Sequence, residues 1–389
     1  MKYDGFMIKR DIAYKVLEFS KQYPVITITG PRQSGKTTLS KMLFNDYQYV
    51  SLENLDNREF AENDPVGFLD LYSSGVIIDE IQRVPDLTSY IQTIVDKNNT
   101  PGMFVLTGSQ QFELMDKLSQ SLAGRTAIIR LLPFSMSEVY KKNDNLNLDS
   151  VLSTGFYPRI FDKGLDPYNA MEFYVNTYIE RDLRRLINIK DLSKFQTFLK
   201  LCAGRTGQIL NMSSLSNECG VSHNTVSGWL TILEASYLIK RVKPFYKNFN
   251  KRLVKAPKLF FIDTGLVCYL LGINSPQHLQ MHPLRGAVFE TFVFSELLKS
   301  NFNRAMPDNI YYFRDRKGHE VDLILDNGVN ITGIEVKSGK TISSSFFKNL
   351  KYLSDISDIS IKNRLIYGGN KNYIRENVEI VSWRNVKQE

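Results

Sequence analysis

The sequence is poor in cysteine and contains no long apolar run. Its three cysteines, Cys202, Cys219 and Cys268, lie far apart and form no CxxC pair, so neither a zinc site nor a disulfide framework is expected. We expect buried thiols in a reducing compartment. The longer apolar stretches, such as residues 266–273, are far shorter than the roughly 20 residues that cross a bilayer, and the N-terminal residues lack the apolar core of a signal peptide. These absences predict a cytoplasmic protein without a membrane span.

Acidic residues are also absent from one stretch, residues 238–260. The chain has a formal net charge of +8, and this stretch alone carries eight basic residues. Such a basic cluster favours an anionic polymer such as nucleic acid, although a solvated basic face would give the same pattern. The eight residues are Lys240, Arg241, Lys243, Lys247, Lys251, Arg252, Lys255 and Lys258.

The composition is that of a globular protein with more than one domain. At 389 residues the chain is too long for one ordinary core, so two or three domains are expected. Apolar residues make up 43% and charged residues 23%, a balance that is typical of folded rather than disordered chains.

A phosphate-binding loop is predicted near the N-terminus. The stretch YPVITITGPRQSGKTTLSKML combines a β-branched run at residues 25–29, a GxxxxGKT pattern and a helical segment from residue 36. In this strand–loop–helix context the glycines let backbone N–H groups surround phosphates, Lys36 reaches the β- and γ-phosphates, and Thr37 holds Mg2+. The expected ATP-binding residues are Gly30, Pro31, Arg32, Gln33, Ser34, Gly35, Lys36, Thr37 and Thr38.

A second apolar strand ends in two acids, Asp79 and Glu80, as a Walker B strand does. Asp79 is predicted to bind the magnesium through water, and Glu80 to polarise the attacking water. The adjacent acid matters, because a nucleotide switch can manage with the Asp alone whereas hydrolysis usually needs a base. The pair therefore favours ATP turnover.

A candidate for the arginine that meets the γ-phosphate is Arg125, which follows Gly124 and precedes an apolar strand. It could act in cis or from a neighbouring subunit. The alternative is a surface arginine in a loop, since sequence does not show which way the side chain points.

Five segments, in order, carry a resemblance to a known family: GPRQSGKT from residue 30, VIIDEIQ from 76, VLTGS from 105, LAGR from 122 and LPFSMSE from 132. Together they resemble the ATPase domain of a widespread archaeal and bacterial AAA-type family whose C-terminal domain has been labelled as of unknown function. With GFYP at residues 155–158, the order also resembles the STAND branch of P-loop ATPases. The resemblance implies that Ser109, beside Thr107 and Gln110, senses the γ-phosphate and that Pro158 lines the adenine pocket, although GFYP could be a simple turn.

The middle of the chain predicts packing helices and then a winged helix-turn-helix. Residues 166–203 have a helical pattern. In LSNECGVSHNTVSGWL the first helix is predicted to end at Cys219 and Gly220, and Ser222 is a good N-cap for the second. The stretch LIKRVKPFY then reads as a strand that enters a basic wing.

In such a module the second helix would enter a major groove, with Ser222, His223, Asn224 and Ser227 near bases and the wing lysines on phosphates. Because these helix side chains are small and neutral, the expected contact with DNA rests on the wing. The alternative is a rigid lever or a nucleotide-sensing lid.

Residues 311–339, YYFRDRKGHEVDLILDNGVNITGIEVKSG, predict three strands with a hairpin turn at the DNG sequence. Glu335 and Lys337, two residues apart, face the same side of their strand, and the hairpin brings Asp322 near the same end. An upstream helical segment carries Glu290 and Glu296.

An Asp, then Glu-x-Lys on the next strand, preceded by a helical Glu, resembles the PD-(D/E)xK nuclease fold. By that resemblance Glu290, Asp322 and Glu335 would bind Mg2+ or Mn2+, which offsets their mutual repulsion. Lys337 would orient the attacking water or offset charge that develops on the phosphate. The alternative is an exposed hairpin with charged side chains on its solvent face.

The expected architecture is α/β: a P-loop ATPase domain of AAA+/STAND type at 1–145, a helical lid at 146–205, a winged helix-turn-helix at 206–255 and a restriction-endonuclease-like α/β domain at 256–389. The first hypothesis is an ATP-hydrolysing enzyme whose nucleotide state controls a metal-dependent DNA nuclease, as a homo-oligomer if Arg125 acts in trans. The alternatives are a STAND-like switch that binds nucleic acid or a partner without cutting, and a DNA-binding ATPase with a structural C-terminal domain.

Overall fold

The N-terminal part of the protein is built around a five-stranded parallel sheet. The computed structural model describes residues 8–72, 75–109, 120–140, 145–183, 191–245 and 254–387. The strands are β1 Val25–Thr29, β2 Gln48–Ser51, β3 Val76–Asp79, β4 Phe104–Gly108 and β5 Thr126–Arg130, in the order β2-β3-β4-β1-β5. Every residue of β1, β3 and β4 is buried, as in parallel sheets covered on both faces. The predicted α/β class with a P-loop type of sheet is confirmed.

Helices cover both faces of this sheet. Side chains alternate along β1, so Val25 joins one hydrophobic cluster while Ile26 and Ile28 join the other. The helices are Ala13–Ser20, Lys36–Leu43, Leu55–Asn63, Pro65–Asp70 and Leu87–Lys97, with a 3-10 turn at Ile81–Arg83. This arrangement leaves the carboxyl ends of the strands free at one edge, which is where ligands bind in open parallel sheets.

Short capped helices follow the sheet. They are Met136–Val139, Leu148–Thr154, Pro158–Lys163, Pro167–Tyr174 and Leu192–Ala203, and Val175–Leu183 continues the fourth as a π-helix. Asn147, Asp166 and Asp191 each accept a hydrogen bond from a backbone N–H group in the first turn of a helix, and so define where three of these helices begin.

Two helices and a three-stranded antiparallel sheet come next. The helices are Met212–Cys219 and His223–Ala235, and the strands are β6 Gln208–Ile209, β7 Ile239–Val242 and β8 Lys258–Phe261, in the order β6-β8-β7. Gly220 ends the first helix in a left-handed conformation, and Ser222 caps the second by accepting a hydrogen bond from the N–H of Thr225. The turn and the cap lie where the sequence predicts them, but β8 carries the sheet past the expected boundary at 255.

The C-terminal part contains a six-stranded mixed sheet. Its strands are β9 Ile310–Arg314, β10 Glu320–Asp326, β11 Ile331–Lys337, β12 Ile361–Tyr367, β13 Tyr373–Arg375 and β14 Val378–Ser382, in the order β13-β14-β12-β11-β10-β9. Strands β10 and β11 pair antiparallel, with Asp326 opposite Ile331, as the predicted hairpin requires. The helices are Thr264–Leu270, Pro276–Met281, Arg285–Asn303 and Lys348–Ile356, with 3-10 turns at Ser344–Phe347 and Trp383–Asn385.

The helix Arg285–Asn303 packs against both the three-stranded sheet and the C-terminal part. On this helix the ring of Phe294 stacks on Phe260 of β8, with 4.6 Å between the ring centroids. One hydrophobic cluster includes side chains from Leu132 to Val386. The three-stranded sheet and the helix therefore share a continuous core.

The cysteines and the helices bear on two expectations from composition. Cys202, Cys219 and Cys268 are buried free thiols, as predicted. Among the described helices, none combines the length and the apolar character that crossing a membrane would require.

Candidate functional site

The predicted P-loop follows β1 and leads into the helix Lys36–Leu43. Gly30 has φ of 154°, and a Cβ built there would lie 2.1 Å from the carbonyl oxygen of Leu131, so a larger residue does not fit. Gly35 has φ of 91° and is the N-cap of the helix. The first helical N–H groups therefore face the loop, as phosphate binding requires.

Lys36 is buried in this loop, and none of the carboxylates in the described part of the chain forms an ion pair with it. Its Nζ donates to the carbonyl oxygens of Gly30, at 3.1 Å, and of Pro31, at 2.9 Å. Burial lowers the pKa of Lys36 to about 8, although Glu80 and Asp79 act in the opposite direction. A phosphate placed in the loop would supply the anionic partner that this ammonium group lacks.

Asp79 lies beside Thr37, as the predicted magnesium site requires. The hydroxyl of Thr37 donates to the two carboxylate oxygens of Asp79 at 3.0 and 3.1 Å. The hydroxyl groups of Tyr49, at 2.9 Å, and of Thr107 also donate to this carboxylate. These oxygens are the type of ligand that Mg2+ takes together with phosphate oxygens, so the donor set fits MgATP.

Tyr49 belongs to this site although its sequence context did not indicate it. It lies on the edge strand β2, where Ser51 is opposite Asp79 in the parallel register. Burial, and then the hydrogen bond to Asp79, raise the pKa of Tyr49 to about 12. The phenol therefore stays protonated and donates to the carboxylate at neutral pH.

Glu80 is held in an unusual backbone conformation at the end of β3. Its φ is 60°, a left-handed value that costs a non-glycine residue about 1–2 kcal/mol. The Gln82 amide donates both to the Glu80 carboxylate and to the Ser109 hydroxyl, the latter at 3.1 Å. The predicted base and the predicted sensor are thus joined by Gln82, a residue that sequence reasoning missed.

The remaining predicted nucleotide residues lie around the loop. Pro158 begins the helix Pro158–Lys163, and its Cγ is 4.0 Å from a Cβ built on Gly35. The guanidinium of Arg32 lies over the ring of Tyr178, 5.4 Å from its centroid. Gln33 has φ of 62°, and Thr38 is exposed. Gln110 lies outside the described residues.

Ser34 is fixed to the loop by Arg10, a residue that sequence reasoning did not select. Arg10 is buried, and its guanidinium donates to the carbonyl oxygens of Ser34, at 2.8 Å, and of Leu132, at 2.7 Å. The Ser34 hydroxyl oxygen is buried and has no hydrogen-bond partner among the residues that the structure describes. It is a polar group that a phosphate oxygen would satisfy.

Arg125 lies at the edge of the sheet opposite to the P-loop. Its carbonyl oxygen accepts a hydrogen bond from the N–H of Val25, at the start of β1, whereas the P-loop follows the end of β1. The length of such a strand is roughly 15 Å. Its guanidinium contacts Asp96, with Nε–Oδ1 at 2.5 Å and Nη2–Oδ2 at 2.9 Å. The guanidinium thus lies away from the P-loop of its own chain, and a role for Arg125, in cis or in trans, stays a prediction.

A second candidate site lies at the end of the β10–β11 hairpin. Asp322 accepts a hydrogen bond from the N–H of Val336 at 2.8 Å. The Nζ of Lys337 lies 2.6 Å from Glu335 Oε1 and 3.6 Å from Asp322 Oδ2. The structure thus brings together the Asp and the Glu-x-Lys that the sequence selects.

Lys258 of β8 enters the same cluster and was not selected from the sequence. Its Nζ lies 2.6 Å from Glu320 Oε1, 3.1 Å from Glu290 Oε1 and 4.0 Å from Asp322 Oδ1. Only 1% of its side chain is exposed. Among the described residues, no group of three or more His, Cys, Asp or Glu side chains is arranged to hold a metal ion. The predicted acids meet around an ammonium group and not in the arrangement of metal ligands.

The charges of this cluster depend on each other. Burial raises the pKa of Glu290 and of Glu335, while their lysine neighbours act in the opposite direction. Burial alone would lower the pKa of Lys258, but the carboxylates of Glu290, Asp322 and Glu320 outweigh it, so the pKa is raised. The second carboxylate oxygen of Glu335 is buried and, in the described part of the chain, has no hydrogen-bond partner.

Glu296, the other acid of the predicted helix, does not belong to this site. Its carboxylate accepts hydrogen bonds from the N–H of Met136, at 3.0 Å, and from Lys299, at 3.1 Å. It lies six positions after Glu290, so the two side chains point to different sides of the helix.

The basic stretch at 238–260 is less solvated than its charge predicted. Lys258 is buried, Lys240 lies 2.6 Å from Asp308, and Arg241 lies 2.6 Å from Glu234. These three are neutralised by acids that lie far from them or outside the stretch in sequence. Lys243 and Lys255 are exposed, and Lys247, Lys251 and Arg252 lie outside the described residues.

The second helix of the predicted helix-turn-helix has a polar start and a buried body. Ser222, His223 and Asn224 are exposed, and Ser227 is half-buried. Trp229 packs in the core against Phe195, with 5.2 Å between the ring centroids. The exposed start is where contact with a groove is predicted.

Comparison with known proteins assigns three segments of the chain to families. Residues 22–140 match the AAA domain, residues 145–277 match a domain of unknown function (DUF8612), and residues 285–386 match another (DUF4143). Lys258 thus lies in the second segment, whereas Glu290, Asp322, Glu335 and Lys337 lie in the third.

Among solved structures, the chain resembles the Walker-type ATPase PABY2304 of Pyrococcus abyssi, with a TM-score of 0.41 and 13% identity over 68% of this chain and 96% of that chain. It also resembles the RuvB Holliday junction branch migration motor of Thermotoga maritima, with a TM-score of 0.33 and 18% identity over 60% of this chain and 90% of that chain. TM-scores this low support no conclusion about function.

The relationship by sequence is stronger. The uncharacterized protein Rv2008c of Mycobacterium tuberculosis is 30% identical over 341 residues, which are 87% of this chain and 75% of that protein. The uncharacterized protein Mb2031c of Mycobacterium bovis matches equally well. Because the match extends over most of both chains and includes an AAA domain with an assembled P-loop, this protein belongs to the family of Rv2008c and is an AAA-type P-loop ATPase.

Proposed function

We propose that ATP binding and hydrolysis at the P-loop control a nuclease-like site at the β10–β11 hairpin that acts on DNA with a divalent metal. The observation that carries this proposal is a path of contacts from the P-loop strand to the hairpin, through the helix-turn-helix and its sheet. The path combines a polar side-chain contact, the chain connection into β7, the backbone pairing of β7 with β8, and the ion pairs of Lys258.

The path starts at Thr29, the residue before Gly30. Its hydroxyl lies 3.2 Å from the hydroxyl of Tyr237, which follows the helix His223–Ala235. Tyr237 has φ of 55°, so its backbone is held in a conformation that a non-glycine residue rarely adopts. A change at the phosphate loop would therefore reach the turn that precedes β7.

The path continues through the three-stranded sheet. Strand β7 pairs with β8, with Val242 opposite Lys258. Lys258 is the residue that enters the carboxylate cluster of the hairpin. A shift of this sheet relative to the helix Arg285–Asn303 would therefore change the charges around Asp322.

A second contact joins the helical segment to the hairpin. Asp149 contacts Arg285, with 2.6 Å between Oδ1 and Nε, and Arg285 donates to the carbonyl oxygen of Ser338 at 3.1 Å. Ser338 follows Lys337 directly. Movement of the helix Leu148–Thr154 would thus also displace the end of β11.

The residues of the hairpin suit the hydrolysis of a phosphodiester when a metal is bound. Asp322 and Glu335 would hold the divalent ion, which would supply Lewis-acid chemistry at the scissile phosphate. The Nζ of Lys337 lies within hydrogen-bond distance of Glu335, where it would orient the water or stabilise charge on the phosphate. The N–H of Val336 donates a hydrogen bond to the Asp322 carboxylate and so fixes its orientation.

The expected DNA contacts lie on the exposed side of the helix-turn-helix. The exposed residues there include His223, Asn224 and Lys243, with Lys255 near β8. Basic residues around such a helix would contact phosphates and so make binding depend on salt. A homo-oligomer is part of the proposal only if Arg125 meets the nucleotide of a neighbouring subunit.

The test is nicking of supercoiled plasmid by the full chain in Mg2+ or Mn2+, with and without ATP. Wild type would be compared with Asp322→Asn, Lys337→Ala and Lys36→Met. We expect nicking to disappear in the first two and to lose its response to ATP in the third. If no condition gives nicking while ATP hydrolysis is intact, the nuclease part of the proposal is wrong.

A second candidate function is a STAND-like switch that binds nucleic acid or a partner without cutting. The observation that favours it is the neutralisation of the acids by Lys258 and Lys337, which leaves no ligand set for a metal among the described residues. It predicts ATP-dependent DNA binding that Asp322→Asn does not weaken.

A further inference from the structure

The ammonium group of Lys258 stands where a metal ion would neutralise the hairpin acids. It lies within 4.0 Å of carboxylate oxygens of three acids from two elements: Glu290 of the helix Arg285–Asn303, and Glu320 and Asp322 of β10. Two of these acids, Glu290 and Asp322, are among the residues that would bind the metal.

We infer that Lys258 is an internal cation that takes the place of a divalent metal at the hairpin site, so that metal binds only when β8 withdraws this side chain. The inference rests on the proposed function and adds its regulation. A cation and an ammonium group would compete for the same carboxylate oxygens, because each is stabilised by the same negative charges.

Lys258 does not belong to the C-terminal sheet that carries Asp322 and Glu335. Lys258 belongs to the three-stranded sheet and to the segment at 145–277, whereas the acids belong to the segment at 285–386. The cluster therefore joins side chains from two segments that match different family models. Withdrawal of the Lys258 side chain would leave the acids without this cation.

A buried ion pair elsewhere in the protein shows what a purely structural arrangement looks like. Lys299 and Glu296 lie on the same helix, and both oxygens of Glu296 have a partner, one from Lys299 and one from the N–H of Met136. At the hairpin, in contrast, Lys258 contacts several acids, and a buried oxygen of Glu335 has no hydrogen-bond partner among the described residues. An unsatisfied buried carboxylate oxygen is costly, and a bound cation would remove that cost.

The test is direct binding of Mn2+ to the nucleotide-free full chain, followed by electron paramagnetic resonance and by calorimetry. We expect Lys258→Met to gain one Mn2+ site at least about tenfold tighter than any site in wild type, because the acids lose their internal cation. The double variant Lys258→Met with Asp322→Asn should lose this site. Lys299→Met removes an equally buried lysine and should gain no site.

A second readout is thermal stability. Lys258→Met is expected to lower the Tm, and Mn2+ is expected to raise it again, whereas Mn2+ should not restore Lys299→Met. If Lys258→Met does not fold, Lys258→Gln keeps a donor without the charge and should gain the same Mn2+ site. If the variant that folds gains no Mn2+ site, or gains one that survives Asp322→Asn, the inference is overturned.

The outcome is separate from that of the plasmid assay. If the variant gains a Mn2+ site but the protein never nicks DNA, the role of Lys258 as the internal cation is supported and the nuclease proposal is wrong. If wild type nicks DNA but the variants gain no affinity for metal, the nuclease proposal is supported and the inference about Lys258 is wrong.

Discussion

The two candidate sites each contain a buried lysine, and the two lysines have opposite surroundings. The Nζ of Lys36 donates to carbonyl oxygens of its own loop, and burial lowers its pKa to about 8. The Nζ of Lys258 contacts carboxylates, which raise its pKa against the effect of burial. The P-loop therefore keeps a positive charge that a phosphate can neutralise, whereas the hairpin has already neutralised its acids within the protein.

This difference indicates how one chain could couple two sites. The P-loop is complete for its ligand without a rearrangement of charge. The hairpin site would have to lose Lys258 before a cation could enter. The proposed control by nucleotide would then act through the position of the Lys258 side chain.

The largest effect is expected on ATP hydrolysis when the charge of Lys36 is removed. Lys36→Met should lower kcat/KM for ATP hydrolysis by about a hundredfold to a thousandfold, since a charged donor to the transferred phosphate is lost. Lys97→Met, an exposed lysine of the same domain, is the matched control and should retain activity. Hydrolysis that survives Lys36→Met would place the active site elsewhere.

The two lysines are also expected to differ in their contribution to the free energy of unfolding. Lys258→Met should lower the free energy of unfolding by about 3–5 kcal/mol, because it leaves buried acids without a cation. Lys36→Met should not lower it, because the fold disfavours the charge on Lys36. Urea unfolding followed by circular dichroism measures both. Equal losses would show that the two lysines do not differ as described.

The binding of nucleotide should depend on pH in a defined direction. Since the pKa of Lys36 is lowered to about 8, the nucleotide-free protein loses this charge as the pH rises through 8. Binding of ATP then requires uptake of a proton, and affinity should fall by up to about tenfold for each pH unit above 8. Calorimetric titration at pH 7 and pH 9 measures this change.

Lys36→Arg is the control for that dependence, because a guanidinium stays charged over the whole range. Its affinity for ATP, whatever its value, should change little between pH 7 and pH 9. If the wild type binds ATP with the same affinity at pH 7 and at pH 9, then Lys36 keeps its proton at pH 9 in the nucleotide-free protein.

The smallest effect is expected at Arg125. Because its guanidinium contacts Asp96 at the edge opposite to the P-loop, Arg125→Ala should change ATP hydrolysis by less than about twofold in dilute protein. A defect that grows with protein concentration would support a role in trans. A large defect in dilute, monomeric protein would contradict the position of this residue.

Local patterns predicted the P-loop, the end of β3 and the hairpin. A phosphate cradle needs its glycines and Lys36 within a few residues, and a DNG turn fixes the pairing of β10 with β11. Tyr49 and Gln82 were not predicted, because their contacts with Asp79 and Ser109 depend on which strands and turns become neighbours.

Lys258 was predicted to belong to a basic stretch that favours nucleic acid, with a solvated face as the alternative, but its side chain is buried. A run of bases is usually a surface feature, and its acidic partners lie more than thirty positions away in the sequence. One signal was present: Lys258 opens an apolar strand and lies two residues before Phe260, on the same face. That face packs against the helix of Glu290 and Phe294, which are four residues apart and so also share a face.

The most direct test of control by nucleotide is the rate of plasmid nicking in Mn2+, with and without ATP, for wild type and Lys258→Met. We predict that wild type nicks only with ATP, that Lys258→Met nicks equally with and without it, and that Asp322→Asn abolishes both activities. Nicking that depends on ATP to the same extent in wild type and in Lys258→Met would contradict the account.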